Sequence, residues 1–97
     1  MAVLQIVRFR TKSEVGEREM LEINEKFQRE VAPTLKGLER REATITLEGE
    51  WVLVLRYADM DQAKGGAARD TSPTAQEFMS KIDMSSLSVS FLPIVSQ

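Results

Sequence analysis

The segment Trp51–Tyr57, WVLVLRY, constrains the fold most strongly because it is apolar on both sides. Successive side chains of a strand point to opposite faces, so alternate residues group together. One face of this strand carries Trp51, Leu53, Leu55 and Tyr57, and the other carries Val52, Val54 and Arg56. A strand that is apolar on both faces is typical of a position inside a sheet. The segment therefore predicts a central strand with neighbours on either side.

Three other segments have strand character and supply those neighbours. Residues 3–10 are rich in branched side chains, and residues 42–48 alternate apolar with polar, as do residues 87–92. The sequence EGE at residues 48–50 predicts a hairpin between the second and third strands. Together with Trp51–Tyr57, these three segments predict four strands.

A helix is predicted between the first and second strands. Its apolar side chains recur at spacings of three, four and four residues, at Met20, Ile23, Phe27 and Val31. We expect Ser13 to cap its first turn, Pro33 to disturb its end and Gly37 to reverse the chain in a left-handed conformation.

A second helix is predicted before the fourth strand, at residues 73–82. Ser72 and Pro73 form a typical start, and a short helical turn beginning at Asp59 or Asp61 precedes them. The residues expected to point inward from this helix are Ala75, Phe78, Met79 and Ile82.

The resulting order β-α-β-β-α-β predicts an α+β, ferredoxin-like domain over residues 1–97, in which both helices cover one face of a four-stranded antiparallel sheet. The side chains expected beneath the helices are Ala43, Ile45, Leu47, Leu53, Leu55, Leu87, Val89 and Phe91. The other face would carry Thr44, Thr46, Val52, Val54, Arg56, Ser88, Ser90 and Leu92. That face is too apolar at its centre for water, so we predict a homodimer that buries it.

Composition narrows the partners and the compartment. The chain has 97 residues with 13 basic and 15 acidic side chains, and this charge balance argues against a nucleic-acid or anionic membrane partner. It contains no cysteine and no apolar run long enough to cross a membrane, which makes a cytoplasmic location the simplest expectation. It also lacks histidine, so no side chain has an ordinary pKa near neutrality.

Three stretches resemble one family in particular: LQIVRFRTK in the first strand, TLKGLERREATI before and within the second, and WVLVLRYADMDQA after the hairpin. They are similar to the dimeric α/β-barrel superfamily, specifically its antibiotic-biosynthesis-monooxygenase-like group. The resemblance implies a dimer whose two sheets pack together, with a pocket in each subunit between sheet and helices. Its members include cofactor-free oxygenases of phenolic or quinol-like compounds, haem-degrading enzymes, isomerases and small proteins of unassigned role.

The haem-degrading branch fits the sequence poorly. That branch uses an asparagine on the first strand, a tryptophan at the end of the third and a histidine on the second helix. The matching positions here are Val7 and Tyr57, and the histidine has no counterpart. We therefore expect no haem, no metal and no other cofactor.

Tyr57 is the candidate catalytic residue, and a pocket is predicted around it. The pocket residues we expect are Phe9, Met20, Asn24, Phe27, Trp51 and Phe78, with Arg8 and Arg56 as polar anchors. Each also has a structural interpretation: the aromatic residues as core, the arginines as partners of carboxylates across the dimer, and Asn24 as a solvent-facing side chain.

Two functions remain open from the sequence. The first is a cofactor-independent oxygenase acting on a phenolic or quinol-like aromatic substrate, which supplies its own electrons. The second is a non-catalytic dimer that binds a ligand or serves in assembly.

Overall fold

The computed structural model describes residues 1–66 and 70–97. Its elements, in chain order, are β1 (Val3–Thr11), α1 (Glu17–Glu30), a 3-10 turn (Ala32–Thr34), β2 (Leu38–Ile45), β3 (Trp51–Tyr57), α2 (Met60–Gly65), α3 (Pro73–Ser80) and β4 (Ile82–Pro93). None of the helices within these ranges is both long and apolar enough to cross a membrane.

The four strands form one antiparallel sheet in the order β2-β3-β1-β4. β3 pairs with β1 through partners such as Ile6 and Val54, and β1 pairs with β4 through partners such as Val7 and Val89. The doubly apolar strand β3 is therefore internal, as predicted. The ferredoxin-like α+β class is confirmed.

The core lies between the sheet and the helices, on what we call the helix face. α1 buries Met20, Ile23 and Phe27 of the predicted stripe against it, and Val31, the residue that follows the helix, is buried as well. At one end of this core the Phe9 and Trp51 rings stack with centroids 6.0 Å apart, and Phe78 meets Phe9 edge-on at 6.0 Å. Burial of such large apolar side chains is the main favourable term in folding.

Local turn chemistry follows the sequence at three points. Gly37 has φ of 79°, a left-handed conformation that favours glycine, and it directs the chain into β2. The Asp59 carboxylate accepts a hydrogen bond from the Gln62 backbone N–H at 2.8 Å and caps α2. The Ser72 hydroxyl oxygen accepts one from the Ala75 N–H at 3.3 Å and caps α3.

Three predictions about individual positions were wrong. Ser13 does not cap α1, because that helix begins after Gly16 without a side-chain cap. Leu47 is fully exposed at 103%, because β2 ends at Ile45 and the Thr46 N–H closes the hairpin by donating to the Glu50 carbonyl at 2.8 Å. Met79 is 39% exposed at the end of α3.

The second helix is also shorter than predicted. It ends at Ser80, and Ile82 is buried as the first residue of β4 rather than as part of the helix. The strands β2 and β4 correspondingly begin earlier than the alternation suggested, at Leu38 and Ile82.

The opposite side of the sheet, which we call the open face, has no helix over it. At its centre are the half-buried apolar side chains Leu4, Ile6, Val52 and Val54. Leu92 on the neighbouring strand β4 is 49% exposed.

Candidate functional site

A cavity of about 140 Å³ lies between the helix face of the sheet and the helices α1 and α3. Its walls are mainly apolar: Val7, Phe27, Leu53, Leu55, Phe78, Ile82 and Leu87. Met79 on α3 and Val89 on β4 also border it, and they are 39% and 43% exposed. The cavity therefore opens to solvent between α3 and β4, where the helices leave the sheet incompletely covered.

Two polar residues interrupt this apolar lining, Gln5 on β1 and Arg41 on β2. Arg41 points to the helix face because it alternates with Ala43 and Ile45 along the strand. Only 8% of Arg41 is exposed, which is rare for a charged residue.

Two amides of α1 hold the Arg41 guanidinium. Its Nη2 donates to the Asn24 Oδ1 at 2.8 Å, and its Nη1 donates to the Gln28 Oε1 at 2.9 Å. Asn24 and Gln28 are four residues apart and therefore lie on the same side of the helix. The guanidinium also lies over the rings of Phe27 and Phe78, at 4.8 and 5.7 Å from their centroids. Such cation–π geometry is favourable when the cation is removed from water.

The charge of Arg41 is not balanced by a carboxylate within the described residues. None of the ion pairs formed in residues 1–66 and 70–97 includes it, and its Nε is buried without a hydrogen-bond partner there. Burial lowers the pKa of Arg41 to about 10, and the electrostatic influence of Tyr57 acts in the opposite direction. The side chain still carries its charge at neutral pH, so the cavity wall holds a positive charge whose contacts in the described part of the chain are neutral amides and aromatic rings.

The structure brings some of the predicted pocket residues to this cavity. Phe27 and Phe78 line it, whereas Asn24 does not line it and only accepts a hydrogen bond from Arg41 in its wall. Phe9, Met20 and Trp51 lie behind it in the core, at 0%, 0% and 3% exposure.

Tyr57 is fully buried at the end of β3 and is not among the cavity-lining side chains. Its phenol ring packs against the backbone of Gly66, after α2. A Cβ added at Gly66 would lie 2.3 Å from the Tyr57 hydroxyl oxygen, so the close approach requires glycine. Tyr57 therefore raises the pKa of Arg41 through electrostatic interaction, although it does not line the cavity wall.

The arginines predicted as anchors, Arg8 and Arg56, do not reach this cavity. Both lie on the open face, because they alternate with the core residues of their strands. Arg8 Nη2 pairs with the Glu50 Oε1 at 2.8 Å, and Arg56 Nε pairs with the Glu39 Oε1 at 3.0 Å. Both arginines therefore pair with carboxylates of the same chain. The buried guanidinium that the sequence predicts for Arg8 or Arg56 belongs to Arg41 instead.

Arg41 is the site residue that the sequence reasoning missed. Extending the alternation of β2 backwards from Ile45 and Ala43 reaches Arg41 on the apolar face. The sequence therefore does contain an indication of this residue, namely a charged side chain that alternates in step with the core residues of β2.

With the fold and the cavity defined, solved structures provide a comparison. No protein-family model and no curated protein matches the chain. Rv0793 from Mycobacterium tuberculosis has 15% identity and a TM-score of 0.70, with 100% of this chain and 98% of that one covered. SnoaB from Streptomyces nogalater, described as a cofactor-independent oxygenase and solved as a mutant, has 12% identity and a TM-score of 0.75, with 99% and 95% covered.

A third structure, from Bacteroides fragilis, is described as a dimeric protein of unknown function with a ferredoxin-like fold. It has 16% identity and a TM-score of 0.67, with 96% of each chain covered. These neighbours confirm the ferredoxin-like architecture that the resemblance implies. Identities this low establish the shared fold, and the activity has to be argued from the site.

Proposed function

We propose that the protein is a homodimer that binds a small aromatic molecule in the cavity between sheet and helices, with oxygenation of a phenolic or quinol-like substrate as its candidate reaction. The observation that carries this proposal is the apolar cavity with one buried guanidinium in its wall, which no carboxylate of residues 1–66 and 70–97 balances. Apolar walls with few polar groups are the usual composition of small-molecule sites.

The size of the cavity sets the ligand class. An apolar cavity of about 150 Å³ is known to hold a benzene molecule, so 140 Å³ accommodates one six-membered ring. A polycyclic substrate requires the mouth to widen. Met79 stands at that mouth with a flexible, unbranched side chain, which is the kind that adapts to a larger ligand.

The open face supports the homodimer. Its centre is apolar, and ion pairs surround it: Arg8 with Glu50, Arg56 with Glu39, and Arg40 with Glu42. An apolar centre within a polar rim is the usual composition of a protein interface. Pairing through this face leaves both cavities accessible, because they lie on the other side of each sheet. Light scattering at micromolar concentration tests the assembly, and a monomer would contradict it.

The oxygenase reaction needs little from the protein. An electron-rich phenol supplies all four electrons that reduce O₂: one oxygen atom enters the ring, the other leaves as water with two hydrogens of the substrate, and the product is a quinone. The chain would contribute a dry, oriented site and stabilisation of the substrate's negative charge by Arg41. The likeness in fold to SnoaB supports this candidate.

Oxygen uptake with a series of phenols tests the reaction. The role of Tyr57 in positioning or proton transfer stays a prediction, and Tyr57→Phe should lower oxygen uptake without abolishing binding if it holds. Substrate-dependent uptake by the protein supports an enzyme. If phenols bind to the protein but cause no oxygen uptake, the result would contradict an enzymatic function.

A non-catalytic binding protein is the second candidate. It is favoured by the composition of the described cavity wall, in which Gln5 and Arg41 are the polar groups and neither is a general base at neutral pH. Saturable binding of an aromatic ligand without oxygen uptake would support this function over the first.

A further inference from the structure

We infer that the cavity selects a planar aromatic anion, with the oxyanion of a carboxylate or phenolate against the Arg41 guanidinium. This inference rests on the proposed binding function and specifies the charge of its ligand. The sequence and the neighbours leave that charge undefined, whereas the surroundings of Arg41 constrain it.

The first reason is the unbalanced charge. Buried charges in proteins are normally paired, because removing an ion from water is costly. Arg41 is 8% exposed, and its acceptors, Asn24 and Gln28, are neutral amides. An anion entering the cavity would supply the missing counter-charge.

The second reason is donor capacity. A guanidinium has five N–H donors in a fixed plane, and the two amides of α1 each accept one hydrogen bond. Nε is buried and lacks a partner within residues 1–66 and 70–97. Because Nε is enclosed by protein, the donors left for a ligand are the second hydrogens of Nη1 and Nη2, and an oxyanion suits such a pair because arginine binds oxyanions through parallel hydrogen bonds.

The third reason is preorganisation. Asn24 and Gln28 hold the guanidinium from one side, and the rings of Phe27 and Phe78 limit its rotation from another. A ligand that binds a fixed group loses less conformational freedom on the protein's side. The same two rings line the cavity, so one ligand can place its charged group against Arg41 and its aromatic ring against Phe27 and Phe78.

Calorimetric titration with benzoate and benzamide tests the inference, because the two differ in charge and hardly in shape. Since hydrogen bonds to charged groups are worth more than neutral ones, we expect benzoate to bind at least about 10-fold more tightly. In Arg41→Met the preference should disappear. Equal affinities for the two ligands in the unaltered protein would overturn the inference and leave the binding function intact. Binding of neither ligand would instead refute the binding function itself, and the inference with it.

Asn24→Asp provides a second variant in case Arg41→Met fails to fold. It places a carboxylate within hydrogen-bonding distance of the guanidinium and thereby neutralises it inside the protein. We expect benzoate to lose its preference over benzamide while the fold, followed by circular dichroism, persists. An unchanged benzoate preference in Asn24→Asp would contradict the role of Arg41.

4-Nitrophenol distinguishes a phenolate from a carboxylate as the preferred oxyanion. Its phenolate absorbs visible light, so the pH at which it ionises can be read in the bound state. An adjacent cation favours the charged form, and we expect bound nitrophenol to ionise about one pH unit lower than the free compound. A bound compound that ionises at the same or a higher pH would exclude phenolates and restrict the inference to carboxylates.

Discussion

Substitution of Val54 by glutamate should dissociate the proposed homodimer. Val54 lies at the centre of the open face, opposite Ile6 on β1 and Glu42 on β2. A glutamate there would be buried at the interface without a cation directly opposite, and beside a residue of like charge, which is unfavourable across strands.

The magnitude follows from the cost of an uncompensated buried charge. That cost is about 3 kcal/mol at the low end of the measured range, and a symmetric dimer contains the substitution twice. At 1.4 kcal/mol for each factor of ten, about 6 kcal/mol raises the dissociation constant by about 10⁴-fold. A nanomolar dimer would become a monomer at micromolar concentration.

Sedimentation velocity of the unaltered protein and of Val54→Glu measures this change. Leu47→Glu is the matched control, because Leu47 is fully exposed in the β2–β3 hairpin and its replacement adds the same charge outside the predicted interface. We expect this control to remain dimeric. If Val54→Glu dimerises as tightly as the control, the open face is not the interface and the reasoning fails.

Two further predictions concern packing and ion pairing. Gly66→Ala should destabilise the fold by about 1–3 kcal/mol in urea unfolding, because the new methyl group meets the buried Tyr57 ring. The control Gly16→Ala places its methyl group in open space and should cost less. Equal effects of the two substitutions would contradict the tight packing at Gly66. The hydrogen bond from Lys81 to Glu19 lowers the pKa of Glu19 from 4.5 and raises the pKa of Lys81 from 10.5. The stabilisation from this pair should therefore be lost as pH falls through the lowered pKa of Glu19. It should also be lost as pH rises through the raised pKa of Lys81. Comparison of the protein with Lys81→Met across pH should show a difference that is largest near neutrality, and a difference independent of pH would refute the pairing.

Much of the fold was predictable because local patterns and tertiary burial agree. The strand β3 is apolar on both faces and is internal, and the apolar stripe predicted for the first helix is buried at all four positions. Leu47 failed because the alternation continues in the sequence after β2 has ended, whereas Met79 lies in the last turn of α3, where it borders the cavity mouth and is partly exposed. Hairpin closure at Thr46 and the end of α3 at Ser80 decided those positions.

The site was less predictable, because it depends on which residues of different elements meet. Phe27 and Phe78 follow from helix periodicity, whereas the alternation of apolar and polar residues in the second strand begins at Glu42 and leaves Arg41 outside it. The sequence predicts Asn24 as a pocket residue, and the structure shows its side-chain carbonyl oxygen accepting a hydrogen bond from Arg41. The depth of Tyr57 is set by the approach of Gly66, which no spacing in the sequence reveals.

A methyl-resolved NMR titration with benzoate tests the central claim most directly, since it reports where a ligand binds. We predict saturable shifts of the methyl groups of Val7, Leu53 and Leu55 in the cavity wall. The methyl groups of Leu4 and Val54, on the open face, should stay unchanged and serve as the internal control. Shifts confined to the open face, or no saturable shift at any ligand concentration, would contradict a binding site between the sheet and the helices.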